Sequence, residues 1–517
     1  MRRLFAVIVC LALLLGLSGC GSDEQTVVYI ALDEISTLDP QLVTSPADRT
    51  VVLNTFEGLL RFDANDAIIP AAASEYYVEG LEYTFEIDPD LCWSDGTPLT
   101  AFDFEFAFRR AASPETNAPD FTKISCIKGA KEVKNGANIS NLAVYALDSH
   151  TLKITLAEAD ENFLQTLTEP IAMPCNEEFF RSTKGKYGRN GENIISNGNL
   201  YVYSWRTENY RIRLKRNPHY GGHFAVLPDE IYLTAAEEDE KLSLLSDKDI
   251  DLSFLESTLR DSAEEKGLYC QSYFDKYLFI VVNKNSALGN ADVRRALSLS
   301  IHRIALENSM PSYILPLLAA VQPDAEYEGT GIYGDVSAEA NFAYLPDEAY
   351  RLFLDYTKQN GTPEASTILF PAELKIDSLV SGVAAGWQQN LGCYINMTAL
   401  DTNSDVLKKI ESGDYTVAIM AISSGDKNAY ELLSQFRSGN IFGFKNAQFD
   451  RIITSLHTKS TTGEYVKAIV EAQKLLLDDC SVIPIAATPT VVCHTDDIAF
   501  VHYNIANESI DFSTIRK

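Results

Sequence analysis

Between Tyr83 and Ala111 the sequence specifies a strand, a tight turn and a helix in immediate succession. Tyr83, Phe85 and Ile87 alternate with Thr84 and Glu86, the period-two pattern of a half-buried strand. Asp88-Pro89-Asp90 breaks it. Trp93-Ser94-Asp95-Gly96-Thr97-Pro98-Leu99-Thr100 follows, with turn chemistry from Ser94 to Pro98. Gly relieves the backbone there, Asp and Ser bond locally, and Pro fixes φ. Thr100 can cap a helix beginning near Phe102-Asp103 and carrying Phe104, Phe108 and Ala111 on one face. The unit holds neither a nucleophile nor a metal cluster, so it reads as scaffold.

The rest of the chain continues as short strands and helices without repeats. Val27–Ile30 reads as a buried strand, and a turn at Leu38-Asp39-Pro40-Gln41 leads into a helix bearing Val51, Val52, Phe56 and Leu59. Leu152, Ile154 and Leu156 alternate, as do Tyr210, Ile212 and Leu214. Asn290 or Asp292 can cap a helix with Val293, Leu297, Ile301 and Ile304, and Thr462 one with Tyr465, Ile469, Ala472 and Leu476. Val482-Ile483-Pro484-Ile485 reads as a strand that Pro484 confines to an edge or a bulge. Irregularly mixed strands and helices argue α/β or α+β domains. No Pro/Gly/Ser linker marks a boundary, as expected of domains that share several crossing segments.

Arg2 and Arg3 precede an apolar run from Leu4 to Leu17, which is signal-peptide length and too short to span a bilayer. It ends in Leu17-Ser18-Gly19-Cys20, which resembles a lipobox with Cys20 as the acylated residue. Gly21 to Gln25 is polar and short, placing the body close to the bilayer. The 517 residues carry a formal net charge of −29, about −31 once Arg2 and Arg3 leave with the signal. So acidic a body disfavours nucleic acid. Beyond Cys20, seven scattered cysteines (Cys92, Cys126, Cys175, Cys270, Cys393, Cys480 and Cys493) form no disulfide framework, and an odd number leaves at least one free.

Catalytic motifs are weak. His219 and His223 are four apart, but Pro218 and Gly221-Gly222 make a shared helix face improbable, and no zincin Glu lies between them. Gly329-Thr330-Gly331-Ile332-Tyr333-Gly334 matches GxGxxG with no strand before it and no clear helix after it, so a loop is the plainer reading. GxSxG and HExxH are absent.

The run Trp93–Thr100 resembles a hallmark of the solute-binding components of oligopeptide/dipeptide ABC importers, the family 5 extracellular solute-binding lipoproteins. Leu38-Asp39-Pro40, Phe56-Glu57-Gly58-Leu59, Arg216-Asn217-Pro218-His219-Tyr220, Asn283, Asp292–Leu297, Asp478-Asp479 and Val482-Ile483-Pro484 are similar to further family segments. At Ser196-Asn197-Gly198-Asn199-Leu200 the chain departs from the family's Gly-x-Gly-Pro-Tyr turn at three positions. The resemblance implies an α/β, bilobal periplasmic-binding-protein-like fold of type II, in its large three-domain form, with a hinge and an interlobe ligand cleft. It divides the chain into a signal peptide 1–20, a tether 21–26, lobe I from 27–60, 176–275 and 488–517, an inserted domain II at 61–175, and lobe III at 276–487.

The resemblance also implies a site. A peptide bound as an added strand needs backbone partners, and its buried ammonium needs a carboxylate. Asp426, in Ile422-Ser423-Ser424-Gly425-Asp426, fits the family's ammonium anchor if one residue is deleted afterwards, with Ile422 or Ser423 where a Trp is usual. Thr44-Ser45-Pro46 matches the segment that pairs with the peptide backbone, and Tyr277 and Phe279 lie in a strand near the hinge, as cleft wall or as core. Trp387 is similar to a structural position in a lobe III helix. The implied protein is a monomer and not an enzyme, with no cofactor and no metal. Its partners are a peptide ligand, permease subunits with separate ATPase subunits, and the membrane through its lipid anchor. The same fold binding a nickel chelate or an oligosaccharide, or sensing a peptide signal, remains open, and a cell-envelope hydrolase is the reading from another class.

Overall fold

The computed structural model describes residues 25–160, 162–206, 211–307, 310–311, 313–327, 329–339, 344–363, 366–424 and 429–517. The chain forms two units: Met1–Ala235 with Asp497–His502 and Asp511–Lys517, and Ala236–Asp496 with Tyr503–Ile510.

In the first unit, strand Val27–Leu32 runs parallel to Glu230–Ala235, which pairs antiparallel with Arg211–Arg216 and that in turn with Leu200–Arg206. Period-two alternation buries Val28, Ile30, Ile212, Leu214, Ile231 and Leu233 on one face. A second, antiparallel sheet contains Ala73–Glu79, Glu82–Ile87, Thr151–Thr155 and Val144–Ala146. Helix Ala101–Ala112 packs on it through Phe104, Ala107, Phe108 and Ala111, all fully buried.

The turn that precedes this helix is built from its own polar side chains. The Asp95 carboxylate accepts from Thr97 N and Oγ1, Gly96 takes φ of +87°, and Gly96 N donates to Trp93 O. Thr100 and Asp103 then form a reciprocal capping box. Trp93 is fully buried with its ring edge-on to Phe56.

Buried polar contacts tie the separated motifs together. Arg110, on the inner face of the helix, donates to both oxygens of Asp39, to Gln41 Oε1 and to Cys175 Sγ, and its guanidinium lies 4.1 Å from the Phe180 ring. Gln41 Nε2 donates onward to the carbonyls of Ile171 and Met173. Glu57 accepts from Tyr220 Oη at 2.6 Å, and burial pushes its carboxyl up to about 7 against that hydrogen bond.

The second unit is a mixed sheet covered by helices on both faces. Its long central strands, Tyr269–Val282 and Val482–His494, are antiparallel; Val417–Ser423 pairs with the former, and Ser366–Pro371 joins it to Ile395–Leu400. Tyr277, Phe279, Val281 and Met420 face helices Ala447–Thr454 and Thr462–Asp479. Leu278, Ile280, Val282 and Ile419 face helices Ala291–Leu299, Pro346–Asn360 and Asp377–Leu391. Trp387 is fully buried on that side, its Nε1 donating to Leu297 O, a structural role.

Several boundaries differ from the sequence reading. The helix after Ser45 stops at Thr55, because Phe56 turns extended and Gly58 passes so close to Leu167 O that a Cβ there would lie 2.8 Å from it. Phe56 and Leu59 are core, but beyond the helix. The helix capped by Asn290 ends at Leu299, so Ile301 packs from outside it. Thr461 rather than Thr462 caps the long helix, its side chain accepting from Glu464 N. Pro484 lies at a bulge, between the pairs Leu278–Ala486 and Phe279–Pro484, in a strand that is central and not at the edge. A short helix, Tyr333–Ala338, does follow Gly329–Ile332. Among the described residues one cystine forms, Cys270–Cys493, across adjacent strands, while Cys92, Cys126, Cys175, Cys393 and Cys480 are free.

Two outcomes follow from these contacts. The cystine closes a separation of 223 residues, which in the chain-entropy model limits the unfolded state by roughly 5 kcal/mol. Reduction or Cys270→Ser should therefore lower the unfolding free energy by up to that amount and move the denaturant midpoint down; identical midpoints with and without reductant contradict a formed bridge. The Glu57 carboxyl, ordinarily near 4.5, is raised by burial to about 7 in the fold, so folding takes up a proton between those values. The stability it contributes is complete below pH 4.5 and is lost as pH rises through 7, up to about 3 kcal/mol in total. Glu57→Gln keeps a partner for Tyr220 and removes this titration. The gap between wild-type and variant melting temperatures should change between pH 5 and 7.5; a constant gap contradicts the raised carboxyl.

Candidate functional site

In the second unit the expected residues converge on one strand end. The antiparallel register pairs Tyr277 with Ile422 and Lys276 with Ser423. Ile422 is 5% exposed and Tyr277 1%, so both belong chiefly to the core. The Tyr277 hydroxyl donates to Phe274 O at 2.5 Å. Phe279 is also core and stacks edge-on with Phe436. Ser423 is the exposed member, and its carbonyl accepts from Gln435 Nε2.

Past Ser423 the chain is pinned. Ser424 N donates to Asp275 O, and Ser424 Oγ donates to Glu431 Oε2 at 2.9 Å, on helix Ala429–Ser434. Asp426 falls between these anchors and lies outside the described residues.

Several carboxylates surround this strand end, with Lys276 among them. Burial is the first cause that raises the Tyr277 phenol, and Asp324, Asp275 and Glu431 each add to it. Asp275 interrupts the apolar strand at a register shift and is fully buried. Its carboxylate accepts from Thr490 N and Oγ1 and from Tyr503 Oη, with Lys276 Nζ 3.3 Å away. Lys276 Nζ also donates to Thr490 Oγ1. The sequence reading passed over Asp275, Lys276, Glu431, Thr490 and Tyr503. An Asp-Lys pair inside Tyr273-Phe274-Asp275-Lys276-Tyr277-Leu278 was the available signal, because charge inside a central strand needs a built partner.

In the first unit, Thr44 and Pro46 are exposed and Ser45 is half-buried. Ser45 caps helix Pro46–Thr55 by accepting from Asp48 N at 3.0 Å, and Pro46 occupies the first turn, where no donor is needed. Asp48 is fully buried, accepts from Ser36 N and Oγ, and is raised above the usual carboxylate range by burial. Val43 and Ser45 are both extended, so the segment presents backbone rather than side-chain chemistry.

Among the described residues, no cluster of three or more His, Cys, Asp or Glu side chains is placed to hold a metal, and no helix is long and apolar enough to cross a membrane. Cys20 lies outside the described residues.

Comparison with known proteins identifies the family. Residues 67–444 match the model of the bacterial extracellular solute-binding proteins, family 5 Middle. The chain is 24% identical over 486 residues to the periplasmic oligopeptide-binding protein OppA of Salmonella typhimurium, covering 90% of this chain and 87% of that protein. It is 25% identical over 453 residues to the dipeptide-binding protein of Lactococcus lactis, covering 79% and 82%. The structure of Listeria monocytogenes OppA bound to peptide superposes with a TM-score of 0.75 at 20% identity, over 96% of this chain and 99% of that one. The α/β, bilobal binding-protein fold, the motifs that lock it and the match over most of its length together show that the chain belongs to the family 5 bacterial extracellular solute-binding proteins.

Proposed function

We propose that the protein captures peptides outside the cytoplasm and delivers them to an ABC importer whose permease and ATPase subunits are separate chains. Its similarity to oligopeptide- and dipeptide-binding proteins supports the ligand class. The observation that carries the reading furthest is the match of residues 67–444 to the family 5 solute-binding proteins; the carboxylates Asp275, Asp324 and Glu431 around Tyr277, with Lys276 beside Asp275, lie at the strand end that leads into Asp426. An α-ammonium has an electrostatic reason to settle there, and Asp426 is its proposed direct partner. Thr44, Ser45 and Pro46 are the proposed backbone contacts, with Ser423, Ile422 and Tyr277 supporting the opposite wall. Lobe I is proposed as 27–60, 176–275 and 488–517, with domain II at 61–175 and lobe III at 276–487. A lipid on Cys20 is proposed to hold this monomer at the outer face of the membrane. The protein acts by binding and release, as its family of binding proteins does, and needs neither cofactor nor metal for that.

Removing one partner of a buried charge pair costs about 2–5 kcal/mol, or roughly 30-fold to several thousand-fold in affinity. Asp426→Ala should lose that much for a free peptide, and N-acetylated peptides should bind wild type poorly and hardly distinguish the two proteins. Calorimetry in which free and acetylated peptides bind wild type equally removes Asp426 as anchor. Cys20→Ser should leave the protein unprocessed or release it from membranes. A variant that fractionates and is acylated like wild type contradicts the lipid anchor.

A further inference from the structure

The first-unit sheet has an outward face unlike the rest of this acidic protein. Alternation places Tyr201 and Tyr203, Arg211, Arg213 and Lys215, Glu230 and Tyr232, and Tyr29 opposite the buried residues of the four strands. Three cations thus stand against one carboxylate, in a chain of net charge −29.

The face is ordered by its own contacts. The Tyr29 and Tyr232 rings stack at 5.3 Å. The Arg213 guanidinium lies 5.0 Å from the Tyr203 ring and 5.3 Å from that of Tyr232, and Lys215 Nζ lies 4.2 Å from Tyr203. Glu230 accepts from Arg213 Nε at 2.9 Å and lies 3.0 Å from Lys215 Nζ, fixing both cations on the sheet. Tyr203 is 50% exposed and Tyr29 41%, with Lys517 Nζ 5.4 Å from the Tyr29 ring adding a further cation to the face.

The position of this face in the chain identifies what it meets. Tyr29 lies on the first strand, which begins at Val27. Residues 21–26 separate that strand from Cys20 and reach at most about 20 Å when fully extended. A lipid on Cys20 therefore keeps this sheet beside the bilayer. Charges farther apart than about 10 Å are largely screened in salt, so the local sign of the touching face decides the contact, and not the net charge of the body. Tyrosine hydroxyls and cations are the groups that settle at the headgroup level.

We propose that this four-stranded face rests on an anionic lipid surface and orients the tethered protein on the membrane. The proposal rests on the lipid anchor at Cys20. The two net positive charges on the strands, at about 1 kcal/mol each, favour the docked orientation roughly 30-fold.

The test uses the full-length lipidated protein, in phosphatidylglycerol/phosphatidylcholine vesicles, in pure phosphatidylcholine vesicles and in detergent micelles. Tyrosines are acetylated with N-acetylimidazole and read by mass spectrometry. In anionic vesicles, labelling of Tyr29 and Tyr203 should fall by up to roughly 30-fold relative to micelles. Tyr77, Tyr350 and Tyr394, exposed at 54%, 51% and 70%, should be labelled as before. Neutral vesicles should protect less. Arg211→Glu/Lys215→Glu should still pellet with vesicles but lose the protection; Arg211→Gln, which alters only an exposed strand residue, should lose part of it with an unchanged melting temperature. Equal labelling of Tyr29 and Tyr203 in anionic vesicles and micelles overturns the proposal. So does protection in micelles that grows with protein concentration, since a second copy then covers the face. A protein that fails to pellet refutes the anchor itself, a result distinct from pelleting without protection.

Discussion

A buried cation, Arg110, ties together separated parts of the first unit. Arg110 is 8% exposed, and a lone guanidinium at that depth is strongly unfavourable. Asp39 supplies the countercharge, Gln41 and Cys175 accept further hydrogen bonds, and the Phe180 ring covers the guanidinium face. Burial acts to lower Arg110, but the charge and hydrogen bond of Asp39, joined by Cys175 and Tyr187, together raise it above its usual range. These partners come from two stretches of sequence, 39–41 and 175–180, that lie on either side of the helix in the chain. Satisfying one charge therefore fixes the Leu38–Gln41 turn, the helix, the chain around Cys175 and the helix Glu177–Ser182 in one arrangement. Removing a single partner from such a group leaves an uncompensated charge, at about 3–5 kcal/mol.

The second unit repeats this logic with the opposite sign. Asp275 is fully buried and is satisfied by Thr490, Tyr503 and Lys276. Tyr503 arrives on the short excursion Tyr503–Ile510, so the carboxylate also fixes that return of the chain. The same group is one of the carboxylates around Tyr277. The hydrogen bonds of Thr490 and Tyr503 and the ion pair with Lys276 are the reason a charge is held inside a central strand.

Local chemistry was legible in most places where a side chain acts on its own neighbourhood, the cap at Thr461 rather than Thr462 being an exception. The Asp95–Gly96 turn, the Thr100 cap, the alternation of Ile212 and Leu214 and the Asn290 cap depend on residues within four positions. Long-range pairs were not legible. Nothing in the sequence distinguishes Cys270 and Cys493 from the five free cysteines, because only the strand register brings them together. The Phe56–Leu59 extension failed for a similar reason. Its apolar spacing continues the helix, but Gly58 must pass against Leu167 O, a residue far away in the chain. At the candidate site, Ser423 was found through resemblance at a strand end, whereas Asp275 and Glu431 act through partners that the sequence does not place beside it. The excess of cations on the outward sheet face was likewise hidden in the overall charge of −29, and emerges only when alternation and register are combined.

The central claim is that this is a binding protein for peptides. Native mass spectrometry of the purified protein addresses it most directly, because a closed binding protein retains its ligand through gentle desalting. The account predicts adducts that dissociate into species whose fragmentation reads as short peptides with free amino termini. A retained sugar, bile acid or metal chelate, together with no uptake of peptides from a mixed pool, would contradict it.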